Sequence, residues 1–374
     1  MDQSISLGAD PEIFVVNKKD EIVSASTIIE KEQKNVEGTG GVANDGMQIE
    51  LHPLPSQCRE TLISNLYDCI KEADLLAHAK GFKLTDSFTK DVSQEILSSL
   101  APEVQALGCE PDYSAYGGKI KILNIDGSKH FKRYCGGHIH LGIFQVGVET
   151  EVNYKTRVKE SYHDNADYMT KMFDYLVGNT LVLLDHDESN VERRKVYGQA
   201  GSYRRQTHGI EYRTLSNFWL RHTSLVSLTF LLARIAARYT PPIVDDALEV
   251  DPLKTLTNLV NEKDIENAIN NNDYVLAEKN FKKIFSFLIT RKRQSYFEYL
   301  LEEDIRYILY LNKFPERAIY HDKSITDNWK TNVEGRSWHD GHENYGWGYF
   351  KAKNLKKIHT DASLVRDFTN ININ

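Results

Sequence analysis

Residues 46–53 read GMQIELHP. Met47, Ile49 and Leu51 fall on one side of an extended chain, and Gln48 and Glu50 on the other, the period-two pattern of a half-buried strand. The period then changes. From 55 to 79, Leu62, Leu66, Cys69, Ile70 and Ala73 recur at helical spacing, behind a Ser56 N-cap with Glu60 in the first turn. Upstream, SISLGAD (4–10) and EIFVVN (12–17) are short β-rich runs. Downstream, KIKILNID (119–126), YCGGHIHLGIF (134–144) and GIEYRTL (209–215) predict further strands, with helices over 164–184 and 219–239. Pro241 and Pro242 stop the last of these. The pattern predicts an α+β fold: a curved antiparallel sheet with flanking helices.

After Pro242 the character shifts. Residues 251–311 are Asn-, Lys- and Glu-rich at helical spacing, with a turn expected in INNND (269–273). The tail from 328 is aromatic and glycine-rich and is expected to pack back on the core. The division is therefore a catalytic domain over 1–242 and a C-terminal helical region over 243–374.

With 46 Lys and Arg against 53 Asp and Glu, the net charge is −7. That balance speaks against coating long nucleic acid, which needs basic surface, while leaving room for a local basic pocket. Four scattered cysteines (Cys58, Cys69, Cys109, Cys135) match neither a disulfide framework nor a zinc knuckle, so a reduced, cytoplasmic setting is expected. The first residues lack the basic and apolar regions of a secretory leader. The most apolar run, 225–233, is far short of the roughly 20 residues of a membrane span.

Five segments concentrate acids, histidines and arginines on or beside strands, where residues two apart point the same way. Asp10 and Glu12 pair in this sense, as do His138 with His140 and Glu211 with Arg213. Glu50 projects opposite its apolar neighbours, and a loop-like stretch (186–205) supplies Arg193, Arg194, Arg204 and Arg205. Carboxylates with an imidazole suit Mg²⁺ or Mn²⁺, and guanidinium groups grip phosphate oxygens. Taken singly, each has an ordinary reading: a solvated strand face, a cross-strand ion pair, a charged surface run. Converging on one sheet face, they are the equipment of phosphoryl transfer.

Their order carries more. GADPEIFVVN, GMQIELHP, GGHIHLG, ERRKVYGQAGSYR and GIEYRTLSNFWL together resemble the phage-type carboxylate–amine ligases, a group similar in fold to glutamine synthetase and the glutamate–cysteine ligases. The resemblance spans about residues 4–240. It implies a concave sheet face holding ATP and two or three Mg²⁺ or Mn²⁺ ions. On that pattern Asp10, Glu12, Glu50, His138 and Glu211 are metal ligands. His140, Arg193, Arg194 and Arg204 lie near the nucleotide phosphates, and Arg204, Arg205 and Arg213 serve the transfer itself. The sequence departs from the larger synthetases in two places: Asp10 stands for a glutamate, and Asp45 in an NDG turn is the candidate second acid before Glu50. Asp112 is a candidate substrate contact.

The resemblance implies an ATP-dependent ligase that makes an acyl phosphate from a carboxylate, then an amide from an amine. The alternatives are a phosphotransferase on the same sheet, or a non-catalytic nucleotide- or metal-binding phage protein. Substrates are expected to be small-molecule or peptide carboxylates and amines, with no membrane or long nucleic acid as partner. Homo-oligomer formation is left open, and the location is the host cytoplasm if the chain is phage-encoded.

Overall fold

The computed structural model describes residues 5–290, apart from 30–33, 37, 57–58, 86, 101–112, 120–126, 128, 144–164, 186, 222 and 241–250. The chain opens with β1 (Ile5–Ala9), β2 (Glu12–Val16), β3 (Ile22–Val23), β4 (Lys34–Val36), β5 (Gly40–Asp45) and β6 (Gln48–Pro53). Helix α1 (Arg59–Ala79) follows, then β7 (Lys83–Thr85), β8 (Thr89–Asp91), α2 (Gln94–Ser99), β9 (Tyr113–Ser114), β10 (Gly118–Lys119), β11 (Lys132–Tyr134) and β12 (Ile139–Ile143). A long helical stretch comes next: α3 (Ala166–Phe173), a π-turn (Asp174–Gly178) and α4 (Asn179–Val182). Helix α5 (Ser189–Val196), the hairpin β13 (Ser202–Gln206) and β14 (Gly209–Tyr212), and α6 (Thr223–Arg238) complete this part. Three further helices are α7 (Pro252–Leu259), α8 (Glu262–Asn270) and α9 (Tyr274–Thr290).

One sheet runs β1-β12-β14-β13-β9-β10 and a second runs β3-β2-β6-β5-β4, with β7 also on β2. The strand pairs are antiparallel, so the predicted mixed α and β architecture with curled antiparallel sheets is met. The chain passes from the first sheet to the second at Asp10–Pro11, because proline has no N–H to continue a ladder. The corner is stitched closed: Glu12 N–H donates to Gly136 O at 2.9 Å and Leu51 N–H to Pro11 O at 3.0 Å.

Register divides the first sheet into two unlike faces. Leu7, Leu141 and Ile210 stand opposite one another, as do Ala9, Ile139, Tyr212 and Tyr203. That face is buried under α3 and α6. Gly8, His140, Glu211 and Arg204 align on the other. In the second sheet, Met47, Ile49 and Leu51 are buried as their alternation predicted. Helix α1 packs there through Leu62, Leu66, Cys69, Ile70 and Ala73.

Four local expectations change. Helix α1 begins at Arg59 rather than 55, and Ser56 forms a β-bridge with Leu7. The stretch read as loop-like before β13 contains α5, with Arg193 and Arg194 in its last turn. The helix predicted over 164–184 is interrupted by the π-turn. The apolar helix predicted from 219 divides into a 3₁₀ turn (Asn217–Arg221) and α6. Of the strand expected over 119–126, only Lys119 lies within the described residues. Asp112, Cys58, Cys109, residues 291–311 and the tail from 328 lie outside them.

Helices α7–α9 are held to the rest by polar contacts as well as apolar ones. Tyr175 OH donates to Val260 O at 2.6 Å, Asn179 Nδ2 to Ala277 O at 3.1 Å, and Asn270 Oδ1 accepts from Ala200 N–H at 2.8 Å. Asp174, on the π-turn beneath the first sheet, is fully buried and accepts from Tyr212 OH at 2.6 Å. Burial pushes its carboxyl up to about 7, against the lowering effect of the Tyr212 bond. The folded state thus holds a proton that the unfolded state releases near pH 4, so this group's contribution to stability falls as pH rises through roughly 4 to 7. Asp174→Asn removes that term. In urea titrations, the wild-type midpoint minus the variant midpoint should decrease steadily over this window. A constant difference would exclude Asp174 as the titrating group.

Candidate functional site

The open face of the first sheet collects the charged residues. Asp10 ends β1, His138 and His140 sit at the start of β12, and Glu211 lies on β14 directly between His140 on one side and Arg204 of β13 on the other. His140 Nε2 is 2.9 Å from Asp10 Oδ2, and His138 Nδ1 is 3.3 Å from Asp10 Oδ1 and 3.2 Å from Glu211 Oε1. Asp10, His140 and Glu211 each bring a ligating atom within 4.8 Å of the others. Asp10 Oδ1, His138 Nδ1 and His140 Nε2 are buried and make no hydrogen bond among the described residues. Two imidazole nitrogens and a carboxylate oxygen left this way suit a divalent cation that accepts mixed N and O ligands.

Two glycines make the approach of His138 feasible. A Cβ on Gly136 would lie 2.3 Å from both His138 Nε2 and Tyr197 OH, and one on Gly137 would lie 2.2 Å from Ser216 O. The GG preceding the His-x-His strand is therefore steric in origin. Gly136 also donates its N–H to Glu12 Oε2 at 2.6 Å.

A second group of acids lies across the corner. Glu12 stands opposite Glu50 in the β2–β6 register, and Glu50 opposite Ala43 on β5, the strand that ends at Asp45. Burial, then Asp45, pushes the Glu12 carboxyl well above its usual range, with the Gly136 amide opposing. Burial and Glu50 likewise raise Asp45. Asp10 behaves in the opposite way: burial would raise it, but His140 and His138 outweigh that and hold it well below the carboxylate range. For Glu211, too, burial is overcome, here by His138 and Arg213, and the carboxyl is lowered. The face therefore has a balanced half around Asp10 and Glu211 and an acidic half around Glu12, Asp45 and Glu50. Added positive charge would relieve the acidic half.

The arginines separate into different roles. Arg204 Nη1 lies 3.7 Å from Glu211 Oε2, while its Nε and Nη2 are buried without a hydrogen-bond partner among the described residues. Arg213 is buried and donates to Glu211 Oε1 at 2.7 Å. Arg205, one residue on, faces the other side of the sheet, opposite Ile210, with its guanidinium over the Tyr113 ring. Arg193 and Arg194 are not brought to the cluster. Arg193 is fully buried and donates to Thr214 O at 3.0 Å and Leu215 O at 2.6 Å. Arg194 donates to Ile269 O and to Asn272 Oδ1, at the C-terminal end of α8.

The face also holds residues that the sequence reading passed over. His52 Nε2 donates to Glu50 Oε2 at 2.5 Å, and that bond raises its pKa. Gln206 Nε2 donates to Glu211 Oε2 at 2.6 Å. His208 Nε2 meets His140 Nδ1 at 2.9 Å, and Tyr197 OH meets His138 Nε2. Burial, then His140, lowers His208 to about 4. His52 and Gln206 each lie two residues beyond a residue already singled out, so strand alternation carried a signal for both. Tyr197, in the turn after α5, carried none.

Residues 163–299 match the family model Phage phiEco32-like COOH.NH2 ligase-type 2. This is the family that the five segments resemble. The matched span takes in Arg204, Glu211 and Arg213 and extends through α7–α9, beyond the 240 at which the resemblance stopped. Asp10, Glu12, Glu50 and the two histidines precede it. No curated protein matches the chain.

The contrast between Arg193 and Arg204 is measurable. Arg193→Met leaves the Thr214 carbonyl without its donor, takes one of two donors from Leu215 O (the Gly137 amide remains), and removes a buried cross-link, and should cost roughly 2–5 kcal/mol of unfolding free energy. Arg204→Met removes a long 3.7 Å contact to a Glu211 that Arg213 and Gln206 still hold, together with two buried donors that have no acceptor among the described residues, and should cost less than about 1 kcal/mol. Chemical denaturation of both variants checks this, and equal losses would contradict the assignment of Arg193 to the frame.

Proposed function

We propose that the chain is an ATP-dependent carboxylate–amine ligase on a glutamine synthetase-like sheet. The observation that carries this reading is the convergence of Asp10, His138, His140 and Glu211 beside Arg204, whose buried Nε and Nη2 have no acceptor among the described residues. The family's name, a COOH·NH2 ligase, supports the reaction class.

Mg²⁺ or Mn²⁺ would be held by Asp10, His138, His140 and Glu211, and a further ion by Glu12, Glu50 and Asp45. Bound there, such ions supply charge neutralisation for the nucleotide phosphates. Arg204 offers its unclaimed donors to the transferring phosphoryl group, where charge builds up. Arg213 and Gln206 fix the Glu211 carboxylate from two directions, so that its orientation does not depend on the ligand. In the reaction, a substrate carboxylate oxygen attacks the γ-phosphorus of ATP and ADP departs, leaving an acyl phosphate. The amine nitrogen then attacks the acyl carbon, phosphate leaves, and the amine gives up a proton. No protein nucleophile is needed. Burial pushes the thiol of Cys135, beside this site, well above its usual range, which keeps it unreactive. The substrates fitting this site are small molecules or peptide termini bearing a carboxylate and an amine.

The test is Mg²⁺-dependent ATP consumption with a mixed pool of amino acids, polyamines and nucleosides, resolving ADP from AMP and reading products by mass spectrometry. ADP with a product lighter than its two parents by one water is expected. ADP with a phosphorylated pool member would replace the ligase by a phosphotransferase, and AMP would rule out the acyl phosphate. Glu211→Gln should abolish turnover in a chain that still folds with a lowered melting temperature, since the isosteric amide keeps the shape but cannot accept from both Arg213 and Gln206. Arg204→Ala should lower the rate about a hundredfold or more, the usual cost of losing a donor aimed at developing charge.

A further inference from the structure

His138 and His140 enter the cluster by different nitrogens. His138 turns Nδ1 inward and Nε2 outward, whereas His140 turns Nε2 inward and Nδ1 outward. In both cases the outward nitrogen has a dedicated partner: Tyr197 OH for His138, and His208 Nε2 for His140 at 2.9 Å. The inward nitrogens lie close to carboxylate oxygens, at 2.9 to 3.3 Å, yet neither is aligned to hydrogen-bond with one. A ring carrying its proton on the inward nitrogen would point that N–H at an oxygen. Here the inward nitrogens and Asp10 Oδ1 face a shared space instead.

We propose that Tyr197 and His208 are positioning residues. Each accepts the outward N–H of its histidine and thereby leaves the inward nitrogen of His138 and of His140 as a lone pair for a divalent cation. An imidazole has one N–H to place when neutral, so fixing it on the outer nitrogen frees the inner one. This arrangement of an outer acceptor behind a ligating ring sets both tautomer and ring orientation. The inference rests on the metal reading above and extends it to residues outside the ligand set.

The surroundings are built for these two contacts. Tyr197 has the Arg193 guanidinium 4.9 Å from its ring centre and that of Arg213 at 5.6 Å, and Arg193 is itself pinned to two backbone carbonyls. The missing Cβ of Gly136 opens the space in which the Tyr197 hydroxyl reaches His138. His208 lies in the turn of the β13–β14 hairpin, whose strands carry Arg204, Gln206 and Glu211. The hairpin therefore carries a carboxylate of the cluster, the arginine beside it and the acceptor behind His140 on one rigid element.

Mn²⁺ binding to the full chain, followed by the EPR signal of the free ion, tests the proposal on wild type, Tyr197→Phe, His208→Ala and His208→Gln. Tyr197→Phe and His208→Ala should weaken Mn²⁺ binding about 10- to 100-fold, the usual effect of losing an outer acceptor. His208→Gln, whose amide oxygen still accepts, should stay within a few-fold of wild type. Long-range ¹⁵N–¹H correlations on the metal-free protein, taken at a pH alkaline enough for both rings to be neutral, should show His138 protonated at Nε2 and His140 at Nδ1. Wild-type Mn²⁺ binding with unaltered affinity in Tyr197→Phe and His208→Ala would overturn the positioning role alone. Absence of Mn²⁺ binding in wild type would overturn the metal reading and this inference with it, and the opposite tautomers in the spectra would overturn the inference directly.

Discussion

Mutual repulsion among crowded carboxylates, of which Glu12 and Glu211 are buried, is the constraint around which this molecule is arranged. Asp10, Glu12, Asp45, Glu50 and Glu211 are gathered along one sheet face and around the Asp10–Pro11 corner, where water cannot screen them fully. The fold settles only part of that charge. His138, His140 and Arg213 compensate Asp10 and Glu211, and those two carboxyls are held low. Nothing comparable stands over Glu12 and Asp45, which are pushed up instead. A face that is half neutralised and half in deficit of positive charge is costly as a structural device, and it is what the proposed cation site requires. The apolar side of the same sheet bears that cost, through a continuous core under α1, α3 and α6.

The arginines show how similar sequence surroundings can yield opposite roles. Arg193 and Arg194 adjoin in one helix turn, and both turn inward to backbone carbonyls. Buried guanidinium groups with several carbonyl acceptors act as cross-links between segments that have no ladder in common. Arg193 ties α5 to the strand exit at Thr214 and Leu215, and Arg194 ties it to the end of α8, where its charge also complements the helix dipole. Arg204 and Arg205 adjoin on a strand, so alternation alone sends them to opposite faces. Among the described residues, Arg193 and Arg194 each keep only a buried Nε without an acceptor, whereas Arg204 has both Nε and Nη2 unclaimed on the open face.

Alternation is also why much of the face was legible in the sequence. The pairs His138 and His140, and Glu211 and Arg213, each need only an extended segment to bring them together, and local spacing suffices for that, whereas the expected pair of Asp10 and Glu12 is divided between two sheets by the corner at Pro11. The helix stripes were read correctly for the same reason. What failed depended on the third dimension. Nothing in ERRKVYG distinguishes an arginine that meets a backbone carbonyl from one that meets solvent, since the acceptors lie 21 and 22 residues away for Arg193 and 75 and 78 for Arg194. Ser56 bridges to Leu7, a pairing across 49 positions that local propensity does not see. Tyr197 is 59 residues from His138, and its role exists only in the folded contact.

The same distances bear on the helices after 251. Their Asn270 carbonyl oxygen accepts from Ala200 in the GQAGS turn, four residues before Arg204, and Asn272 holds both Arg194 and the Asp185 carbonyl. The turn reaches the hairpin with Gly201 in a left-handed conformation, so its backbone path is exacting and benefits from an external anchor. Removing α8 would leave the buried Arg194 guanidinium and the Ala200 amide without acceptors, and would loosen the segment that aims Arg204 and Glu211. On this argument the helices over 252–290 are part of the frame of the site. A family pattern running from 163 to 299 without a break follows naturally from such a frame, because the hairpin and its anchor must be kept together.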